Sequence, residues 1–288
     1  MAPRDEQASG SVKSLWRYPV KSMAGEELGA SEVTARGLRG DRAFALIDSA
    51  DAKVASAKNP RKWPQLLNFG AAYYSDPRPG TALPPVRITL PDGAAVSSEQ
   101  PDIDAALSRV LGRRVRLQAA EPGQGRVVES TFPNPWTARA EEYWPDIEGL
   151  DFRDTVTDFD LPHGTFFDLA VLHLLTTATL DRLRGLYPEG QMTTRRFRPN
   201  IVIDTGDGAT GFVENDWVGR TLRLGEQVLL AISEPCPRCV MITLPQGDLP
   251  KDSGILRTAA QHNKTHVGVY ASVLRSGQVR RGDEITVS

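Results

Sequence analysis

Proline and glycine recur along the whole chain and leave little room for long helices. The sequence has 21 prolines and 25 glycines in 288 residues, scattered rather than gathered in one tract. Both residues interrupt regular structure, so the segments between them are short. Several of these segments are rich in β-branched and other apolar residues, as is typical of strands: 12–18, 43–48, 86–90, 201–203, 228–232 and 266–273. The pattern predicts an α+β fold that is mostly β.

Short helices are expected between the strands. Residues 102–111 have the helical spacing of apolar side chains, and Gly112 would end that helix. The continuous apolar run 169–175 predicts a strand buried on both faces, followed by a short helix that stops near Gly185. Short strands separated by turns then fill the rest of the chain. This second half therefore favours a β-barrel with helical excursions.

The stretch 119–126, which contains one proline and two glycines, is the best candidate for a linker. We accordingly predict a disordered lead-in at 1–11, an N-terminal β-rich domain at 12–125 and a second domain at 126–288. Residues 131–145, rich in proline and tryptophan, are expected to form a long ordered loop or lid. Trp136 and Trp144 in that loop could line the mouth of a substrate site, although packing against the barrel would explain them equally well.

Composition excludes several classes of protein. The formal net charge of −2 gives no basic excess for binding nucleic acid. No segment approaches the roughly 18 consecutive apolar residues of a membrane helix, and the N-terminus lacks the apolar core of a secretory signal. Two cysteines cannot build a disulfide framework. We therefore expect a cytoplasmic protein with neither nucleic acid nor membrane among its partners.

The two cysteines, Cys236 and Cys239, stand in one four-residue window that is expected to lie in a loop after a strand. Zinc is one interpretation, because His262 and His266 could add two imidazoles, although the intervening gap is long and His266 begins a predicted strand. A redox pair is another, but such pairs normally open a helix, and residues 240–244 are β-branched and strand-like. A third interpretation is that the two thiols only pack against other side chains and have no chemical role.

A fourth interpretation is a thiolate ligand of a soft metal. Arg238 adjoins Cys239 in the sequence, and its positive charge would favour the ionised sulfur. A single cysteine ligand suits a metal whose other ligands come from a bound cofactor, since thiolates select soft metals. The residues by themselves do not rank this interpretation above the others.

A series of motifs in a fixed order resembles the MOSC family, in which a MOSC N-terminal domain precedes a MOSC domain. The motifs are WRYPVKSMAGE at 16–26, GLRGDR at 37–42, RFRPNIV at 196–202, WVG at 217–219, PCPRCV at 235–240, and VGVY at 267–270 with RGD at 281–283. Each one alone is weak, but their order from about residue 12 to the C-terminus is specific. Within the family, the sequence is similar to the mitochondrial amidoxime reducing components and their bacterial counterparts.

The resemblance implies an N-terminal β-barrel-like domain, a C-terminal MOSC β-barrel with short helices, and a molybdenum–molybdopterin cofactor. The pterin dithiolene would give molybdenum two sulfurs and Cys239 the third, whereas Cys236 matches a position that need not be a ligand. We expect neither the ferredoxin-like domain of some bacterial relatives nor a membrane anchor. Electrons are therefore expected from a separate flavin or iron–sulfur protein.

The phosphate of such a cofactor needs convergent donors, and most of the candidates lie in or beside the motifs. They are Lys21, Ser22, Arg42, Thr176, Thr177, Arg198 and Asn200. An ammonium, a hydroxyl or a guanidinium can each bond one phosphate, and a helix N-terminus can add backbone N–H groups. For Thr176 and Thr177 simple N-capping is an equal alternative, and Asn200 could merely close a turn.

Three further residues are weaker candidates for the site. Lys58 is expected to be a solvated loop lysine, His173 a hydrogen-bonded core histidine and Asp168 a structural residue.

The function implied by the resemblance is the reduction of N-hydroxylated compounds such as amidoximes, hydroxylamines and N-oxides. The alternative is a sulfur carrier that uses a Cys239 persulfide, as in MOSC domains of cofactor sulfurases. We expect no aminotransferase-like domain before the motifs and therefore no pyridoxal phosphate chemistry, which makes the sulfur carrier the weaker interpretation. A cofactor-binding or storage module without turnover is a third class, because fold alone does not fix function.

Overall fold

The computed structural model describes residues 8–120, 138–145, 154–161 and 165–288. The strands are β1 (Ala8–Arg17), β2 (Glu26–Leu28), β3 (Ala30–Thr34), β4 (Gly37–Leu38), β5 (Phe44–Asp48), β6 (Gly70–Tyr73), β7 (Val86–Thr89), β8 (Ala95–Ser97), β9 (Val115–Ala119), β10 (Arg139–Trp144), β11 (Thr155–Asp160), β12 (Leu172–Thr176), β13 (Ile201–Asp204), β14 (Thr221–Leu224), β15 (Val228–Pro237), β16 (His266–Arg275), β17 (Gly277–Arg280) and β18 (Glu284–Val287). The α-helices are α1 (Ile103–Leu111), α2 (Thr177–Leu186), α3 (Thr194–Phe197) and α4 (Gly254–Asn263), and 3-10 helices occur at Leu66–Asn68, Val213–Trp217 and Val240–Thr243.

Seven strands close into a barrel. Their hydrogen-bonded order is β13-β12-β16-β15-β14-β18-β1, and β1 also pairs with β13, which completes the ring. The pair β12–β13 is parallel, whereas the other neighbours are antiparallel. Alternate side chains fill the interior, among them Leu15, Leu174, Leu222 and Ile285, all fully buried. The first strand of the described chain is thus held among strands from its C-terminal half.

A second core lies in the N-terminal half, where α1 and the sheet β6-β7-β8 pack around Leu66, Phe69 and Ile88. Val240, directly after the second cysteine, is buried in this core. A third apolar cluster joins α2, α3 and α4, and it contains Ile242. The segment that follows the cysteines is therefore held between two cores, which fixes the position of Cys239.

The structure confirms the predicted fold class, which is mostly β with a barrel and short helices. It also confirms the helix predicted at 102–111: α1 ends at Gly112, whose φ of 63° is the left-handed conformation that glycine adopts without strain. None of the described helices has the length and apolar content that crossing a bilayer requires.

Two boundaries near the ends of the predicted segments are corrected. We predict disorder over 1–11, but β1 begins at Ala8, which pairs with Thr286, and Ser11 pairs with both Asp204 and Glu284. Residues 1–7 lie outside the described residues. The apolar run 169–175 is a strand only from Leu172, where pairing with β16 starts, and Leu169 is 64% exposed.

The predicted loop at 131–145 is also wrong in part. Residues 139–144 form β10, which pairs with β11 along its whole length, from Arg139 opposite Asp160 to Trp144 opposite Thr155. Backbone hydrogen bonds to a partner strand outweighed the proline and tryptophan content that suggested a loop. Trp136 and most of the predicted linker at 119–126 lie outside the described residues, and the two-domain boundaries stay a prediction.

The secondary structure differs from the prediction both at Cys236 and in the segment after Cys239. Cys236 is still part of β15 rather than of a loop. The segment 240–244, predicted to be strand-like, instead begins with a 3-10 turn, in which the Leu244 N–H bonds the Met241 carbonyl and the Thr243 hydroxyl bonds the Val240 carbonyl at 2.7 Å. These local bonds satisfy backbone groups that a strand would have to pair across a sheet.

Candidate functional site

Two adjoining clefts lie where the barrel meets the N-terminal core. The first, here called the basic cleft, has an empty volume of about 640 Å³ and is lined by Lys21, Arg42, Arg198 and Arg238, among others. The second, the cysteine cleft, has an empty volume of about 800 Å³ and is lined by Cys239, among others. The clefts share five lining residues: Asp168, Leu169, Arg238, Met241 and Tyr270.

Lys21 follows β1 and points its ammonium into the basic cleft. Its Nζ donates to the Phe166 carbonyl oxygen at 2.7 Å and to Asp168 Oδ1 at 2.5 Å. Burial lowers the pKa of Lys21 to about 8, although the Asp168 carboxylate opposes that shift. The side chain therefore stays mostly protonated at neutral pH and keeps a positive charge inside the protein.

Arg42 and Arg198 share one aromatic ring. Their guanidinium carbons lie 4.5 and 4.2 Å from the centre of the Tyr18 ring, a distance at which cation and ring attract each other. Both residues have left-handed backbones, with φ of 45° and 53°, which is unusual outside glycine. Arg42 also pairs with Asp41, and Arg198 Nη1 donates to the Met23 carbonyl at 2.6 Å. Burial lowers the pKa of Arg198 to about 10, so it stays charged.

Ser22 and Asn200 also line the basic cleft, but much of their bonding capacity is used inside the protein. Ser22 Oγ accepts the Ala57 N–H at 3.0 Å. Asn200 Oδ1 accepts the His173 N–H, while its Nδ2 donates to the Trp16 carbonyl and to Asp41 Oδ2. Asn200 therefore ties together strands around the cleft, and both of its amide N–H bonds are already directed at protein acceptors.

Thr176 and Thr177 are predicted site residues that line neither cleft as the structure describes them. Thr176 is the N-cap of α2: its Oγ1 accepts the Thr179 N–H at 3.1 Å and donates to Glu214 Oε2 at 2.6 Å. Thr177 Oγ1 accepts an N–H from the loop after β13, at 3.4 Å. The N-terminus of α2 is thus satisfied by its own cap, and the capping alternative accounts for Thr176.

The two cysteines have different surroundings. Cys236 is fully buried, and Arg238 Nη1 donates to its sulfur at 2.7 Å. Burial disfavours the ionised sulfur, but the charges of Arg238 and His173 outweigh it and hold the pKa of Cys236 well below its usual range. Cys239 lines the cysteine cleft, and burial raises its pKa, although the nearby Lys58 ammonium opposes the shift. Arg238 favours the ionised Cys239 sulfur, as expected, but less than Lys58 does, because its guanidinium lies against Cys236.

Lys58 was expected to be solvated, and the structure corrects this. Its side chain is 13% exposed, and its Nζ lies 3.4 Å from Glu142 Oε1 and 3.6 Å from Asp168 Oδ2. Asp168 consequently bridges Lys58 and Lys21, and although burial alone would raise the pKa of Asp168, the two ammonium groups lower it overall. Neither Lys58 nor Glu142 carries a local sequence signal, since their contacts join parts of the chain far apart in sequence.

The residues at the two clefts fit a phosphate-bearing cofactor with a soft metal. Five cations line them: Lys21, Arg42, Lys58, Arg198 and Arg238. The anionic groups in contact with those cations number four in the described chain, namely Asp41, Glu142, Asp168 and the ionised sulfur of Cys236. Arg238 Nε is buried without a hydrogen-bond partner among the described residues. An anionic ligand would supply the missing charge and acceptor. Among the described residues no group of three or more His, Cys, Asp or Glu could hold a metal, which gives the zinc interpretation no support.

Residues 9–124 match the model of the MOSC N-terminal beta barrel domain, and residues 163–286 match that of the MOSC domain. The chain belongs to the MOSC family, as a protein that carries both of these domains. Among curated relatives it is similar to mitochondrial amidoxime reducing component 2 of Macaca fascicularis, at 26% identity over 97% of this chain and 84% of that protein. It is also similar to the molybdenum cofactor sulfurase of Oryza sativa, at 23% identity over 96% of this chain but only 34% of the relative.

A further likeness is to the solved structure of the YUAD protein from Bacillus subtilis. The TM-score is 0.46 at 10% sequence identity, covering 96% of this chain and 94% of that one. That level of similarity carries no argument about function.

Proposed function

We propose that this protein binds a molybdenum–molybdopterin cofactor across the two clefts, with Cys239 as the thiolate ligand of the metal. The observation that carries the proposal is the junction of a thiol-lined cleft with a cleft lined by cations. Lys21, Arg42 and Arg198 are far apart in sequence, yet they line the same cleft. Charge-assisted hydrogen bonds from such groups to a phosphate are the strong kind.

Cys239 suits the role of ligand better than Cys236 because its sulfur lines a cleft that a cofactor can enter. Cys236 is fully buried and already bonded to a guanidinium. The pKa of Cys239 is raised by burial, so the thiol is protonated in the free protein at neutral pH. Binding a metal would remove this proton, because a coordinating thiol is deprotonated outright.

The activity we propose is the reduction of N-hydroxylated compounds: amidoximes, hydroxylamines and N-oxides. The conversion of an amidoxime to an amidine consumes two electrons and two protons and releases water. The bound cofactor would supply the two-electron redox chemistry, and a separate flavin or iron–sulfur protein would supply the electrons. Support comes from the name of the mitochondrial relatives, which are amidoxime reducing components.

The protein's own residues would orient the substrate in the cysteine cleft. Trp144, Met241 and Leu256 give this cleft an apolar wall, while the Lys58 ammonium offers a donor to the substrate's oxygen. Glu142 and Asp168 hold that ammonium in place. Apolar walls with a few directed polar groups are the usual design of small-molecule sites.

The test is a reduction assay combined with metal analysis. Protein from molybdenum-replete cells should contain molybdenum and, with a chemical electron donor, convert benzamidoxime to benzamidine. Protein from molybdenum-depleted cells is the matched control and should be inactive. If the loaded protein never reduces benzamidoxime, yet accepts cyanolysable sulfur from a cysteine desulfurase, then the sulfur-carrier alternative is correct instead.

A further inference from the structure

Arg238 is held at the junction of the two clefts by contacts at both ends of its guanidinium. Nη1 donates to Cys236 Sγ at 2.7 Å, and Nη2 donates to the Phe197 carbonyl oxygen at 2.9 Å. The backbone N–H of Arg238 bonds the Thr265 carbonyl at 2.9 Å. The side chain lines both clefts, so its orientation decides what a ligand meets where they join.

Cys236 is a rigid anchor for this contact. It lies on β15 between Pro235, which pairs with Val269, and Pro237, which pairs with His266, and its side chain is fully buried. Tyr270 and His173 face each other on the next two strands of the barrel and also interact with the sulfur. A side chain inside a barrel strand has little freedom to move, and the guanidinium it holds is correspondingly fixed.

The third nitrogen of the guanidinium, Nε, differs from the two Nη nitrogens. Nε of Arg238 is buried and makes no hydrogen bond within the described residues. Buried donors in folded proteins are nearly always paired, so an unpaired one at the wall of a cleft marks a place for a ligand's acceptor atom. Nη1 and Nη2 each direct one N–H at a protein acceptor, whereas Nε, which carries a single N–H, directs none at the described residues.

We propose that Cys236 is a positioning residue, whose sulfur fixes the guanidinium of Arg238 so that its Nε N–H is presented to an oxyanion bound where the two clefts meet. In the cell the oxyanion would belong to the cofactor, and to that extent the inference rests on the proposed function. The chemistry required is a phosphate-like group with an acceptor oxygen directed at Nε. Cys236 itself touches no ligand and acts through Arg238.

The charge at Cys236 supports this role. The neighbouring Arg238 and His173 favour the ionised sulfur over the buried neutral thiol. A thiolate accepts a stronger hydrogen bond from a guanidinium than a neutral thiol or hydroxyl does. Serine at this position would keep an acceptor of similar shape without the charge, and alanine would remove the acceptor altogether.

A double-mutant cycle on inorganic phosphate binding tests the proposal with full-length, cofactor-free protein. Arg238→Gln should weaken phosphate binding by about tenfold, the effect of losing one charge-assisted hydrogen bond. Cys236→Ala should cost nearly as much, and Cys236→Ser should cost less. In the double variant Cys236→Ala with Arg238→Gln, the loss should equal that of Arg238→Gln alone, because Cys236 acts only through the arginine.

Lys13→Gln is the matched charge control, since Lys13 is an exposed residue paired with Asp204 and outside both clefts. It should bind phosphate as the wild type does, and thermal melting would confirm that all variants are folded. If Cys236→Ala should fail to fold, Cys236→Ser in the same cycle gives the same test. Additive losses, an unchanged affinity in both Cys236 variants, or no phosphate binding by the wild type would overturn the proposal.

Failure of this inference and failure of the proposed function give different results. The cycle uses phosphate and no molybdenum, whereas the proposed function is tested by molybdenum content and benzamidoxime reduction. If the protein contains molybdenum and is active, but the losses in phosphate affinity are additive, then only the proposed role of Cys236 is wrong. If the losses in phosphate affinity are not additive, but the protein never retains molybdenum, then the oxyanion site is supported and the proposed cofactor is wrong.

Discussion

Cys236 and Cys239 are separated by only two residues, yet their sulfurs lie in opposite chemical settings. Cys236 is fully enclosed in a barrel strand and receives a hydrogen bond from Arg238. Cys239 lines an open cleft, and burial raises its pKa although the charge of Lys58 opposes the shift. The more acidic thiol is thus the inaccessible one, and the accessible thiol is protonated.

The backbone explains the difference. Cys236 belongs to β15, whose pairing with β16 directs its side chain inward, toward Tyr270 and His173. Cys239 comes just after the strand and precedes the 3-10 turn Val240–Thr243, which is held in place by the two cores on either side. The strand end therefore separates a structural cysteine from one that can reach a ligand. Acidity and accessibility are distinct requirements, and a metal ligand needs accessibility first.

The largest difference between the two cysteines is expected in molybdenum retention. Losing a group that only supports a metal ligand typically costs about 10–100-fold in affinity, so losing the ligand itself in Cys239→Ala should cost more than about a hundredfold. Cys236→Ala should retain a measurable share of both molybdenum and reductase activity. Metal content per protein chain and benzamidoxime turnover are the measurements. Equal loss of molybdenum and activity in both variants would show that the two cysteines do not differ in their role.

The basic cleft should contribute less per residue than the cysteine ligand. Replacing Lys21, Arg42 or Arg198 by alanine removes one charge-assisted contact, on the order of 1.5–3 kcal/mol, and should weaken cofactor binding roughly ten- to a hundredfold. Cofactor retained after gel filtration, with melting temperature as the folding control, measures this effect. Arg42→Lys should be only partly tolerated, since lysine lacks the planar fork. Full retention in all three alanine variants would mean that the cations do not serve the cofactor.

Alkylation of the cofactor-free protein compares the thiols directly. Cys239 should react with iodoacetamide faster than Cys236 at neutral pH, by at least about tenfold, because a buried strand residue reacts only after local opening. Peptide mass spectrometry at timed intervals gives both rates in one sample. Lys58→Met should slow the Cys239 reaction further, since the ammonium favours the ionised sulfur. Preferential labelling of Cys236 would show that accessibility has been assigned to the wrong residue.

The smallest effect expected is on stability as a function of pH. The pKa of Cys236 is lowered in the folded protein, so ionisation of this thiol stabilises the fold. This contribution to the free energy of unfolding is complete above the pKa of the unfolded thiol, about 8.5, and is lost as the pH falls through the lowered value. Cys236→Ser should therefore be more destabilising at about pH 9 than at about pH 6, by on the order of 1 kcal/mol. Urea unfolding at a series of pH values measures it.

Cys239 supplies the control of opposite sign. Its pKa is raised, so its stabilising contribution is present below about pH 8.5 and is lost as the pH rises further. The stability of Cys239→Ser relative to the wild type should then increase with pH, whereas that of Cys236→Ser decreases. Parallel pH profiles for the two variants would contradict the assignment of their surroundings.

Local patterns in the sequence predicted much of the fold. The helix α1 follows from apolar spacing and from Gly112, and the convergence of Lys21, Arg42 and Arg198 was expected from motifs lying far apart. The first feature depends only on neighbours in sequence. The second depends on the resemblance to a family whose motifs are expected to meet at one site. The fate of Thr176 could not be predicted in this way, because its partner Glu214 lies in another element.

Contacts between distant segments are the part that local patterns do not predict. Asp168, expected to be a structural residue, bridges Lys21, which is 147 residues away, and Lys58. Arg238 adjoins Cys239 in sequence, but its guanidinium lies against Cys236, because side chains on successive residues of an extended segment point to opposite sides. Which charged groups pair depends on where their side chains lie in the folded protein, and the order of residues in the sequence does not specify this.

The central claim is that Cys239, and not Cys236, is the sulfur ligand that the protein gives to molybdenum. X-ray absorption at the molybdenum edge, on protein from molybdenum-replete cells, counts the sulfur neighbours of the metal in wild type, Cys239→Ser and Cys236→Ser. We expect one sulfur neighbour fewer in Cys239→Ser, or no bound molybdenum at all, and an unchanged count in Cys236→Ser. A lower count in Cys236→Ser with an unchanged count in Cys239→Ser, or wild-type protein without molybdenum, would contradict the account.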